Sequence, residues 1–113
     1  MNHSELALRN MQEVAAGAAL DPHVATDMIQ RLGALLGAFN EHALNAEMEY
    51  NAVVNALLTS HKGKAAPARV AASVTPQYRA LVNAKNLVVE CELLINAMKY
   101  VVRTAQLDAQ LSR

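Results

Sequence analysis

Two long stretches of this chain carry the same repeat. In the first, Ile29, Leu32, Leu36, Phe39, Ala43, Ala46, Tyr50, Val53 and Leu57 recur at alternating steps of three and four residues. In the second, Leu81, Ala84, Val88, Cys91, Ile95, Met98, Val102, Ala105 and Ala109 do the same. That spacing lines one face of an α-helix as a heptad seam, whereas a strand would throw successive members to opposite sides. The expected fold class is therefore all-α. Start signals agree with the seams: Asp21 before Pro22, and Thr75 before Pro76, each offer a side-chain cap followed by a proline whose missing N–H has no helical partner to lose. Helices are expected over about 22–61 and 76–110, with a short first helix, capped by Ser4, over about 5–19. Gly63 and Pro67 interrupt the pattern, so residues 62–75 read as a connector in which "PARVAAS" forms one or two turns at most.

The 113 residues fit one domain, expected to be a short N-terminal helix followed by a long antiparallel helical hairpin. A second helix of about 40 residues would be on the order of 60 Å long, so the hairpin is expected to be a rod. Two helices alone would leave apolar sides bare. Leu44, Met48, Val54 and Leu58 lie off the first seam, and Val82, Leu87, Val89, Leu93, Leu94, Tyr100, Val101 and Leu107 off the second. Exposing that many large residues invites aggregation, so a coiled-coil homodimer or larger helical bundle is expected. Gly33 and Gly37, four apart, are expected to pack closely against a neighbouring helix, since glycine otherwise weakens a helix interior by roughly 1 kcal/mol.

Chemistry is scarce in this chain. Its single cysteine, Cys91, falls on the apolar seam between Val88 and Ile95 and is flanked by Glu90 and Glu92, a setting that suits a packed thiol better than a thiolate. Glu41, His42, Asn45, Glu47 and Glu49 cluster within a few turns, but neither Glu-x-x-His nor His-Glu-x-x-His spacing occurs. A solvated or salt-bridging edge is the plainer reading. There is no Gly-rich phosphate loop, nucleophile elbow or paired-cysteine zinc spacing. No enzyme, cofactor or metal is expected. The opening "MNHSELALRN" lacks the basic start and apolar run of a signal peptide, and the uncharged apolar run Leu32–Phe39 is far short of the roughly 20 residues of a membrane span. The expected location is the cytoplasm, with no membrane partner.

Charge is where the sequence departs from what a helical hairpin needs. Residues 1–61 hold two Lys or Arg against seven acids, and residues 62–113 hold eight against three. From Tyr50 to Val89 there is no acid, while Lys62, Lys64, Arg69, Arg79 and Lys85 all fall there. Cations without compensating acids can follow a nucleic-acid backbone, and an aromatic such as Tyr78 can stack on a base. The candidate nucleic-acid-binding residues are therefore Lys62, Lys64, Arg69, Tyr78, Arg79 and Lys85. The competing reading is a solvated connector with scattered charge.

The last 41 residues, "SVTPQYRALVNAKNLVVECELLINAMKYVVRTAQLDAQLSR", read as a Pro-capped helix that opens with "PQYRAL" and runs as one seam to a polar end. This resembles small α-helical accessory proteins encoded in early and recombination regions of tailed bacteriophages. Some proteins of that kind bind single-stranded DNA and assist phage transcription or recombination, and others bind and inhibit a host protein. The resemblance implies a non-enzymatic accessory protein working in the bacterial host cytoplasm. Single-stranded DNA is the leading expected partner, beside the chain itself; a host or phage protein docked on an apolar helix face is the alternative, and a purely structural or assembly role the second alternative.

Overall fold

The structure, a computed structural model, describes residues 2–17 and 20–112. Four helices follow one another: α1 (His3–Ala16), α2 (Pro22–Ser60), α3 (Ala65–Ala72) and α4 (Pro76–Leu111). No strand occurs among the described residues.

The helix starts obey cap chemistry. Asp21 Oδ1 accepts the His23 backbone N–H at 2.7 Å, and Thr75 Oγ1 accepts that of Tyr78 at 3.3 Å, so Pro22 and Pro76 each open a helix directly behind a side-chain cap. For α1 the cap differs from expectation. Asn2, not Ser4, receives the Glu5 N–H at 2.8 Å, which starts the helix two residues earlier and leaves Ser4 inside the first turn. Glu5 then stands in that turn, where a carboxylate suits the positive end of the helix dipole. The helix ends at Ala16, with the Gly17 N–H on the Val14 carbonyl; Ala18 and Ala19, which the expected span included, lie outside the described residues.

Chain contacts divide the protein into two units, one of residues up to Ala38 together with those from Val89 onward, the other Phe39–Val88. In the first unit Leu8, Met11, Ala25, Met28, Leu32, Cys91, Leu94 and Met98 are buried. The Cys91 thiol donates to the Leu32 backbone carbonyl at 3.4 Å, joining α4 to α2 across the core. Arg9 Nη1 donates to Gln12 Oε1 at 2.8 Å and also lies 2.8 Å from Glu90 Oε2. That second contact is an ion pair without hydrogen-bond alignment, and the Glu90 oxygen is shut off from solvent. It ties α1 to α4.

In the second unit Phe39, Ala46, Ala68, Ala72, Leu81, Ala84 and Leu87 are buried. Ala46 packs with Leu81 and Ala84, with Ala43 and Tyr50 against them, and the Tyr50 and Tyr78 rings sit 5.6 Å apart, tilted by 52°. Contacts thus climb α2 as they descend α4, so the two helices run antiparallel here. Alanines dominate this interface, and small side chains let helix axes approach.

Of the expected α4 seam Leu81, Ala84, Cys91 and Met98 are buried, but the buried stripe is wider than the seam. Leu87 and Leu94, expected on bare sides, are 6% and 8% exposed. Gly33 and Gly37 do not pack against a neighbouring helix among the described residues, where a Cβ placed on either would meet nothing within 4 Å. Their side of α2 is open because the buried residues Ala25, Met28, Leu32 and Phe39 define the other side.

Candidate nucleic-acid interface

All six candidate residues belong to the unit Phe39–Val88, and the connector that holds three of them is more structured than a loop. α2 stops because two consecutive residues turn left-handed, Lys62 at φ 56° and Gly63 at φ 78°. The Gly63 N–H reaches back to the Leu58 carbonyl at 2.7 Å and the Lys62 N–H to that of Thr59 at 3.2 Å, which satisfies carbonyls left free at the helix end. Glycine tolerates this conformation; lysine holds it at a cost.

Lys64 is then extended and stands at the cap position of α3 without a side-chain cap. Pro67, read as a breaker, sits in the first turn of α3, where its missing N–H breaks no helical bond. α3 buries Ala68 and Ala72, one turn apart, and so turns Arg69 outward in its last turn, where a cation suits the negative end of the helix. Ser73 and Thr75 return their hydroxyls to the Val70 and Ala72 carbonyls at 2.6 Å each. The chain passes directly from α3 into the Thr75 cap of α4.

Lys62, Lys64, Arg69, Arg79 and Lys85 are all exposed. None of the five takes part in an ion pair; the pairs among the described residues are Arg9 with Glu90 and Arg31 with Asp27. On α4, Tyr78 and Lys85 are seven residues apart and share one edge, while Arg79 lies about 100° round.

Two features were missed from the sequence. Tyr78 does not stand alone: its ring lies 5.6 Å from that of Tyr50, tilted by 52°, while the residue stays exposed. The acid-free run of sequence is also not acid-free in space. Glu49 precedes Tyr50 in α2, so the contact between the tyrosines brings an acid-bearing stretch alongside the start of α4. In this unit five Lys and Arg stand against Glu41, Glu47 and Glu49, a milder imbalance than eight against three along the chain. Each unit draws helices from both halves of the sequence, which mixes the signs.

Elsewhere the chemistry is sparse. Cys91 is fully buried, and its thiol is pushed above its ordinary pKa by burial first and by the Glu92 carboxylate second. Glu41, His42 and Glu49 are exposed on α2, and among the described residues no three His, Cys, Asp or Glu side chains gather as a metal site would require. No described helix is long and apolar enough to cross a membrane. No family model matches this chain, and no curated protein or solved structure matches it.

Proposed function

We propose that this chain is a non-enzymatic accessory protein, of the kind tailed phages encode, that holds single-stranded DNA on its basic connector and the adjacent start of α4. What supports the reading is the set of five exposed cations, Lys62, Lys64, Arg69, Arg79 and Lys85, that form no ion pair among the described residues. Lys62, Lys64 and Arg69 lie in the segment between α2 and α4, and Arg79 and Lys85 on the first turns of α4, at different angles round the helix. Tyr78 contributes the exposed edge of a ring already braced by Tyr50.

A labelled oligothymidine titrated with the protein tests this. If five phosphates are neutralised, affinity falls about a hundredfold between roughly 50 and 200 mM salt, because each single-strand contact contributes about 0.7 to the logarithmic slope. Absence of binding at the lower salt would end the proposal.

The second reading is a module that docks a host or phage protein on an apolar face. It draws on the exposed aliphatic residues Val70 and Val74 beside the connector, 70% and 79% exposed. Affinity capture that returns one stoichiometric protein after nuclease treatment, with no oligonucleotide binding, would favour it over DNA.

A further inference from the structure

α4 carries a second stripe. Val89, Leu93, Asn96, Tyr100, Arg103 and Leu107 alternate steps of four and three. At 100° per residue they lie about half a turn from the buried Cys91, Leu94 and Met98 of the same helix. The stripe faces outward: Leu93 is 63% exposed, Tyr100 69%, and Val89 and Leu107 each about half. One edge of it is formed by Glu92, Lys99 and Gln106, all exposed. Neither Glu92 nor Lys99 belongs to an ion pair within the chain among the described residues.

We infer that the occupant of this face is α4 of a second copy, running antiparallel, with Glu92 opposite the partner's Lys99. Charge decides the orientation and the register. In an antiparallel pair, equivalent edge positions of the two helices meet, so a two-fold axis between residues 92 and 99 creates the Glu92–Lys99 pair twice. The same register stacks Val89 on the partner's Tyr100 and Leu93 beside the partner's Asn96, again twice. Sliding by one heptad brings Lys99 onto Lys99, or Glu92 onto Glu92. A parallel pair would set Glu92 against Ala97 and Lys99 against Thr104, leaving both charges unmatched. The opposite edge, where Glu90 is engaged by Arg9, stays with α1.

The test is a charge swap on the full chain, read by light scattering after size exclusion across a dilution series. The wild type should show twice the 12.2 kDa chain mass. Glu92→Lys and Lys99→Glu should each raise the concentration at half-dimer roughly tenfold, since each turns two attractive pairs repulsive. The double variant, which restores both pairs with signs exchanged, should return to the wild-type value. Helix content by circular dichroism should be equal in all four proteins, since both side chains are exposed. A wild type that is monomeric at every concentration overturns the inference, and so does a double variant no better than the singles. Leu93→Glu should abolish the dimer in either charge background.

Discussion

Cys91 and Leu32, 59 residues apart in sequence, are joined by a hydrogen bond from the thiol to the backbone carbonyl at 3.4 Å, inside a core where both residues are fully buried. The carbonyl belongs to α2, so α4 packs there closely enough for a side chain to reach the neighbouring backbone. A thiol is small enough for this position and donates weakly; a larger aliphatic would push the helices apart.

The first expectation concerns that thiol. It should resist a disulfide reagent in the native protein and react fully in denaturant. Cys91→Ala should cost about 1 to 2 kcal/mol in urea unfolding, from the lost sulfur contacts and the small void. Because the folded pKa is raised, the native state holds the proton longer than the unfolded chain. Stability from this group is therefore complete below the unfolded pKa and declines as pH rises from there through the folded value. Unfolding midpoints should fall in the alkaline range in wild type, and that part of the fall should vanish in Cys91→Ala.

Gly33 and Gly37 should be replaceable with profit. Each lies inside α2 with open space where a Cβ would stand, so alanine at either should stabilise by about 1 kcal/mol through helix propensity and a less free unfolded chain. The urea midpoint should rise with an unchanged slope. A fall instead would mean that a helix from outside this chain presses on the glycines.

Gly63 should respond with the opposite sign although the space around it is equally open. Its φ of 78° lies in the left-handed region, so Gly63→Ala should destabilise by about 1 kcal/mol net of the unfolded-state gain. Measuring it beside Gly33→Ala in one urea series separates backbone conformation from crowding.

The ion pair between α1 and α4 should outweigh the one within α2. Arg9→Ala leaves an enclosed Glu90 oxygen without its cation and should cost about 1 kcal/mol. Arg31→Ala removes an exposed contact of 3.9 Å to Asp27 and should fall within about 0.5 kcal/mol of wild type. A double-mutant cycle of Arg9→Ala with Glu90→Gln should show positive coupling; strict additivity would deny the pair any role.

For the proposed DNA interface, alanine at Lys62, Lys64 or Arg69 should reduce the salt slope of oligothymidine binding by about 0.7 each and weaken every sequence equally. Tyr78→Ala should change affinity with little change in slope. An unaltered slope in all three cation variants would place any binding elsewhere.

Much of the helical plan was legible along the chain. The seams through Leu32, Phe39 and Ala46 and through Leu81, Ala84, Cys91 and Met98 supplied residues that are indeed buried, because a 3.6-residue turn maps sequence spacing directly onto a helix face. Asp21 and Thr75 marked helix starts for an equally local reason, a side chain reaching an N–H two or three residues on. Even the cations of the connector were visible as residues, and α3 shows why Arg69 stays outside: its alanines take the buried side.

What depended on more than one helix was not legible. Nothing local reveals that Leu87 and Leu94 fall inside, that Gly33 and Gly37 face open space, that the Tyr50 ring lies beside that of Tyr78, or that Arg9 finds Glu90. Each is settled by which faces of separate helices meet, and periodicity names a helix's apolar stripe without naming the surface that covers it. The linear charge partition misleads for the same reason: in the unit Phe39–Val88 the Tyr50–Tyr78 contact lays the acid-bearing stretch of α2 that ends at Glu49 beside the start of α4, and Coulomb interactions follow distance in space, not order along the chain.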